Sequence, residues 1–463
     1  MINTKDSTMK KNSINFKNYL LRGCLLYFAV FSLPFSEFGQ GNSFSLQQAL
    51  EYAYSHNANQ LNAELDAQGQ KYFRRQVLGA GLPQINGSLD FKDYVELPTS
   101  LIPAAAFGGP PGTFLPVKFG LQYNAMATLT MTQLIFSSDF MLALIASKEA
   151  IKLSEKNILR TKSETAQNVS KAYYSVLVNR ERIKLLDANI IRLKKIFDDT
   201  KAMNIAGFVE KIDVDRLEVT YNNLVAEKDK VSKLVSLSET LLKFQMGYKI
   251  GEQINLTDSL TNAQADLTIS ENQKNTYSQR PEYSLLETQQ KLNELTLKRY
   301  KLTALPTLVG YLNLAEQAQR TEFDFFDTNK KWYGIGIVGA TLNVPIFGGF
   351  QNTNRIKQAN INIQKTKNTI LNLEQAIDLE VQSTVINYQN AQISLESQRK
   401  NMQLANGVLD VANKKYAQGV GSNLEIINAQ TSLKEAETNY FNALYDMLVS
   451  KIDYLKATGQ LVK

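Results

Sequence analysis

The sequence predicts a mainly α-helical chain with a small β part, built as one unit used twice. Each unit is a long helical hairpin that carries a pair of strands. Three observations predict this. First, the 86 residues between Gly120 and Gly207 contain neither glycine nor proline, which a very long helix requires because either residue weakens or ends it. Second, apolar residues recur every seven positions: Val169, Val176, Ile183, Ile190 and Phe197; then Val381, Tyr388, Leu395, Met402, Leu409 and Tyr416; then Ile426, Leu433, Tyr440, Met447 and Tyr454. Ala429, Ala436, Ala443, Ser450 and Ala457 follow the last set three positions later. Large residues at one seam and small ones at the other describe closely approaching coiled helices. Third, the chain repeats itself. Leu82-Pro83 recurs as Leu305-Pro306, Ile135-Phe136 as Ile346-Phe347, and Gly207 with Asp213 as Gly419 with Glu425.

In chain order, residues 1–40 carry Lys10, Lys11, Lys17 and Arg22 ahead of the apolar run Leu25 to Leu33, with a small, polar exit near Gly39-Gln40-Gly41. That is the pattern of a secretory signal peptide. Its five basic and two acidic residues lower the net charge from +7 to about +4 once removed, and Cys24, the single cysteine, leaves with it. The remaining chain has no thiol and no disulfide. Its charges are interspersed, which gives no basic stripe for nucleic acid.

The first repeat is expected over residues 41–247. It holds a helix near Leu46 to Leu78, strands at 84–96 and 119–135, a long helix at 138–205 and a helix at 211–245. In the strands, Ile85, Leu89, Phe91 and Val95 interleave with Asn86, Ser88, Asp90 and Lys92, and Leu121 to Met131 alternates likewise. Apolar on one face and polar on the other over about ten residues is the signature of a transmembrane barrel strand. Between them, residues 96–118 hold five prolines and the run Phe107-Gly-Gly-Pro-Pro-Gly-Thr-Phe114, expected to be a loop without regular structure. At 1.5 Å per residue the long helix is a rod of roughly 100 Å. The two shorter helices match it only if stacked end to end. Residues 248–277 lose the heptad and are expected as an equatorial linker against the rods. The second repeat, 278–463, is expected as a helix, strands at 307–315 and 331–344, a long helix at 348–416 and a helix at 422–457.

Four strands cannot close a barrel, and only a closed barrel survives in hydrocarbon. The strands therefore require partner copies without fixing their number. No catalytic chemistry competes with this reading. His56 is the only histidine, so transition-metal sites are not expected. Phe347-Gly-Gly-Phe350 is a strand-to-helix hinge and no phosphate cradle. No cofactor and no catalytic residue is expected.

The chain resembles the TolC-type outer membrane efflux proteins over nearly all of its length beyond residue 40. The resemblance rests on Phe44-Ser-Leu-Gln-Gln-Ala-Leu-Glu-Tyr-Ala53, on Leu82-Pro83-Gln84, on Asn343-Val-Pro-Ile-Phe-Gly-Gly349, and on the paired turns Gly207 to Asp213 and Gly419 to Glu425. It implies a homotrimer with a 12-stranded barrel in outer-membrane lipid and a trimeric α-barrel tunnel in the periplasm. It also implies a periplasmic adaptor and an inner-membrane pump, proton-driven or ATP-driven. The turns would form the tunnel constriction and tip, at Gly207, Asp213, Gly419, Gly421, Glu425 and Asn428. The adaptor would dock on the hairpin tips at Gly207, Val209, Gly419 and Ser422. Glu425 matches the first ring-forming acid of the family, Asn428 stands where the second is aspartate, and Gly421 replaces an arginine of the tip. Three copies of Glu425 would make a cation-attracting ring, or Glu425 is an ordinary first-turn acid favoured by the helix dipole, and Asp213 carries the same two readings. The rival class is a periplasmic coiled-coil adaptor or scaffold without its own pore. The cargo, small molecules or protein, is open.

Overall fold

The computed structural model describes residues 43–260 and 277–462. The expected signal segment and most of the second half of the linker lie outside them. The elements in order are β1 (Ser43–Phe44), α1 (Leu46–His56), α2 (Ala58–Gly79), β2 (Gln84–Asp93), β3 (Thr99–Pro103), β4 (Phe114–Lys118), β5 (Tyr123–Phe136), α3 (Ser138–Ile205), α4 (Lys211–Met246), β6 (Asn255–Leu256), α5 (Pro281–Leu302), β7 (Thr307–Arg320), β8 (Tyr333–Asn343), α6 (Gln351–Ala417) and α7 (Asn423–Ala457).

Two helices of 68 and 67 residues, α3 and α6, are the rods. Each lies against a shorter helix on either side of the equator: α3 against α4 and α2, α6 against α7 and α5. The joins between short helices follow one design. Gly247 and Gly459 both have positive φ, 72° and 71°, and each presses on another segment. A Cβ on Gly247 would meet the His56 carbonyl oxygen at 2.3 Å, and one on Gly459 would meet Gln279 at 2.9 Å. Glycine is needed at both, for the left-handed turn and for the approach.

The helix expected near 46–78 is two helices. Asn57 leaves the helical region (ψ 128°), and its side-chain oxygen accepts from the backbone N–H of Asn59, at 2.9 Å, and of Gln60. It ends α1 and caps α2 in one residue, while its Nδ2 donates to the Gln245 carbonyl at 2.8 Å. Ser45 and Gln48 close a capping box at the start of α1.

At the equator β1 and β6 pair in parallel. Below them lies a core that includes Phe44, Ala53, Tyr173, Leu242, Met246 and Leu448; each of its large side chains contributes about 1.5–3 kcal/mol by leaving water. The linker is tied in by Asp258, which accepts from the Leu46 N–H at 2.8 Å and lies 3.0 Å from the Tyr173 hydroxyl. Burial, then the hydrogen bond with Asp258, raise the Tyr173 pKa above its usual value, so the phenol stays protonated.

The main sheet has the order β2-β5-β7-β8, every pair antiparallel. Ile85, Met131, Leu312 and Val338 form one cross-sheet row, and Phe91, Ala125 and Ala318 another, all on one face. Asn86, Thr130 and Asn313, with Ser88 and Thr128, lie on the other. Beyond the upper rows an aromatic group gathers: Phe323 lies 5.2 Å from Phe91 and 6.2 Å from Tyr123, and Phe325 lies 5.5 Å from Phe91 and 6.1 Å from Trp332.

Two strand expectations are corrected. Residues 96–118 are not irregular: β3 and β4 form a hairpin, Thr99 opposite Lys118 and Pro103 opposite Phe114. A two-stranded ribbon has both edges open, so Pro103 and Pro116 withhold no N–H that a third strand needs. Gly108 and Gly112, with positive φ, turn the chain between the strands. Second, β7 runs to Arg320, beyond the expected 315, because β5 and β8 pair with it on both sides and override the polar run after Ala315.

Candidate constriction at the hairpin tips

Both long hairpins turn at the end of the molecule opposite the sheet. In the first turn α3 ends in a double backbone cap: Gly207 N–H donates to Asn204 at 3.0 Å and Phe208 N–H to Met203 at 2.9 Å. Gly207 takes φ +81°, the residue and conformation such a cap calls for. The Asn204 side chain donates to the Val209 carbonyl at 2.7 Å and braces the loop from inside.

The second turn has the same double backbone cap, with Gly419 N–H donating to Tyr416 at 3.0 Å and Val420 N–H to Lys415 at 3.1 Å, and is braced further by close approach. Gly419 has φ +75°, and the Gly421 N–H also donates to the Lys415 carbonyl at 3.1 Å. A Cβ on Gly421 would lie 2.9 Å from both the Lys415 Cβ and the Tyr416 nitrogen. Glycine at 421 is therefore a steric requirement of this turn. Ser422 then caps α7, its hydroxyl accepting from the Glu425 N–H at 3.3 Å.

The two turns are tied to each other. Asn423, buried, donates to the Asp213 carbonyl at 2.6 Å and to its carboxylate at 3.3 Å, and Arg216 lies 3.8 Å from the same carboxylate. Asp213 is thus half-buried and engaged, whereas Glu425 and Asn428 stand exposed, one turn apart on α7. Gly207, Gly419 and Ser422 are exposed, and Val209 and Gly421 are half-buried. Behind the tips the four helices share a core that includes Leu193, Phe197, Leu217, Leu409, Ile426 and Leu433, and Thr200 and Tyr416 exchange a hydroxyl–hydroxyl bond at 3.1 Å. A groove of about 580 Å³ runs between α4 and α7, lined by Ile212, Arg216, Val219, Leu424, Ile427 and Lys434. Higher in the bundle, Glu437 of α7 is buried and accepts from Asn189 at 2.8 and 2.9 Å; burial raises its pKa. His56 stacks on Tyr52 at the end of α1, far along the chain from either tip.

Sequence reasoning missed three residues here. Phe208 and Val420 are 82% and 74% exposed at matching places in the two turns. The repeat that aligned Gly207 with Gly419 also aligns these two, so the signal was present. Asn423 had no such signal, since Lys211 occupies the matching position in the first repeat.

Comparison with known proteins agrees with this architecture. Residues 302–460 match the outer membrane efflux protein family. Outer membrane protein TolC of Escherichia coli K12 is 22% identical over 354 residues, covering 74% of this chain and 71% of TolC. Among solved structures, CusC, described for folding and transmembrane channel formation, aligns with a TM-score of 0.72 at 14% identity, over 89% of this chain and 92% of CusC. The Campylobacter jejuni CmeC outer membrane channel aligns at 0.70, with 14% identity and coverage of 90% and 85%. The open-state Neisseria gonorrhoeae MtrE channel aligns at 0.69, with 14% identity and coverage of 89% and 88%. The fold is the one these solved outer membrane channels share. The family match lies in the second repeat, and the resemblance to TolC extends over 74% of the chain.

Proposed function

We propose that three copies close into one conduit, a 12-stranded barrel in the outer membrane continued by a helical tunnel in the periplasm. One observation supports this: among the described residues, a single chain leaves both edges of its sheet and of its helical layer open. The sheet ends in β2 and β8, each paired on one side only among the described residues. The helical layer ends in α4 and α6, which expose apolar stripes at Leu237, Leu241 and Phe244 and at Leu379, Ile386 and Ile393. Open strand edges are untenable in lipid, and apolar stripes of this length mark protein interfaces. Alternation around the sheet leaves β8 and a partner's β2 antiparallel, as closure needs. The apolar face would meet lipid, with the aromatic group at the outer interface as in other barrels, and the polar face would line the pore. Three as the number rests on the likeness to the TolC type.

The hairpin tips would form the periplasmic end. Glu425 and Asn428 would face the axis, with Gly419 and Gly421 shaping the constriction and Gly207 and Asp213 the outer turn. Phe208, Val209, Val420 and Ser422 beside the groove between α4 and α7 would receive a periplasmic adaptor, through which an inner-membrane pump supplies the energy. The main sheet counts against a pore-less adaptor or scaffold, which would leave its apolar face without lipid.

The test is the mass and location of the protein. Outer-membrane fractions should yield a detergent-stable trimer by light scattering, and recovery as a soluble periplasmic monomer would refute the reading. In planar bilayers, Glu425→Ala should weaken cation preference; unchanged ion selectivity would return Glu425 to the role of a first-turn acid.

A further inference from the structure

The internal repeat holds in strand register, and this fixes how one copy joins the next. Leu82-Pro83 and Leu305-Pro306 are 223 residues apart, and Ile135-Phe136 and Ile346-Phe347 are 211 apart. Applied to the first and second strands of a repeat, these offsets carry the β2–β5 pairing onto the β7–β8 pairing. Gln84 opposite Thr132 becomes Thr307 opposite Asn343, and Asp90 opposite Met126 becomes Asn313 opposite Ile337. The structure has both pairs. The two repeats therefore form the same hairpin, and the seam that joins them inside one chain, β5 against β7, is a template for the seam between chains.

We infer that β8 of one copy pairs with β2 of the next in the register that this template dictates, Leu342 opposite Leu89 and Ala340 opposite Phe91. In the template Met131 stands opposite Leu312 and Leu129 opposite Leu314, and the two offsets convert these pairs into the proposed ones. The faces agree. Leu342 and Ala340 lie on the apolar face of the β7–β8 pair, and Leu89 and Phe91 on the apolar face of β2. A slip by one residue would oppose apolar to polar faces.

The junction just past the strands supplies an independent fit. Inside the chain, the Ile135 side chain lies over Gly310, its Cδ1 3.1 Å from where a Cβ would stand. The same offsets turn this pair into Ile346 over Gly87. Both are unpartnered in the single chain: Ile346 is 95% exposed, and nothing lies within 4 Å of a Cβ on Gly87. An isoleucine without a place and a glycine without a neighbour are the two halves of a contact that forms once inside the chain and again between chains. The occupant of this edge is a second copy of the same chain.

The inference rests on the oligomer proposed above, and the experiment separates the two. The only cysteine precedes residue 40, so paired cysteines report cleanly. Opposed strand residues bring their Cβ atoms to about 4.5–5.5 Å, close to disulfide reach. Leu89→Cys with Leu342→Cys should oxidise to a covalent trimer on a denaturing gel, and Leu89→Cys with Ala340→Cys, two residues out of register, should not. If light scattering gives a trimer but the matched pair fails, or the displaced pair links instead, the register is overturned and the trimer stands. If no trimer forms, the oligomer itself is refuted. Gly87→Val provides a second reading that leaves the single chain's packing untouched. It should abolish the trimer band at temperatures where the parent keeps it, and Ile346→Ala should restore it. A Gly87→Val trimer as heat-resistant as the parent would overturn the contact.

Discussion

Placing a methyl group on Gly421 tests whether this turn is held by close approach. In Gly421→Ala the new Cβ would stand 2.9 Å from the Lys415 Cβ and the Tyr416 nitrogen and 3.1 Å from the Lys415 carbonyl carbon. Two of these neighbours are backbone at the end of α6 and cannot swing aside as a side-chain end would. Overpacking of this kind costs about 1–3 kcal/mol. The adjustment also pulls the Gly421 N–H off the Lys415 carbonyl, a bond worth about 1 kcal/mol. A local loss of about 2 kcal/mol raises the open fraction of the turn by about 30-fold, since about 1.4 kcal/mol is tenfold. Hydrogen exchange by mass spectrometry over residues 415–423 reads this directly, because local opening sets exchange there. The same variant in planar bilayers should show more frequent opening, and Gly421→Arg, with a Cβ in the same place, should behave similarly. Exchange unchanged within about twofold would mean that the turn yields without cost and the steric account of Gly421 is wrong.

Two further perturbations probe the body of the molecule. Arg280 is buried and donates to the Ala457 carbonyl at 2.9 Å, to Glu380 at 2.9 Å and to Glu282 at 3.2 Å. Arg280→Ala should cost about 3 kcal/mol by leaving a helix-end carbonyl and two carboxylates without their shared cation, with Arg280→Lys intermediate; guanidinium unfolding followed by circular dichroism should show both, and an unshifted midpoint for the alanine variant would count against the role. Glu437 has a raised pKa because burial disfavours its charge, against the partial relief given by Asn189, Arg192 and Arg182. Its stabilising contribution is therefore full below the ordinary value of 4.5 and is lost as pH rises through the higher folded value. Glu437→Gln should match the parent at pH 4 and exceed it at pH 8 in thermal unfolding; equal stability at both would show that the carboxylate is not penalised.

The parts of the fold legible in the sequence are those whose cause is local and repeated. Breaker-free length and the seven-residue period are properties of the segment itself, and α3 and α6 follow from them. The paired glycine turns were legible because the repeat displays each one twice. The break at Asn57 was not, since asparagine is tolerated inside helices and what makes it a boundary is the Gln245 carbonyl, 188 residues away, accepting from its side chain. The β3–β4 hairpin was hidden by prolines that would be disqualifying in a central strand and are harmless in a two-stranded ribbon. At the tips, glycine positions were readable, whereas Asn423 gains its role only from the approach of Asp213 on another helix.

Duplication also bears on where regulation can sit. Wherever the repeats are equivalent, as in strand register and at Gly247 and Gly459, the structure has two copies of one solution and no reason to treat them differently. The turns depart from this rule. The first is braced by the Asn204 side chain reaching Val209, and the matching residue in the second repeat is Tyr416, whose hydroxyl instead crosses to Thr200 of α3. The second turn shares the backbone cap but lacks that inner brace, and Gly421 lies against the end of α6. The first loop has a side-chain hydrogen bond within itself, which helps it keep its shape when its surroundings move, although Asn423 also ties its Asp213 to α7. A loop held by contact and by a hydroxyl on a neighbouring helix changes when that helix moves. The proposed constriction at Glu425 is therefore attached to the turn more responsive to how α3, α6 and α7 lie against one another, and the first turn is the firmer surface for a partner. Gly421→Ala and an Asn204→Ala counterpart should accordingly separate: the former should alter conductance, the latter adaptor binding.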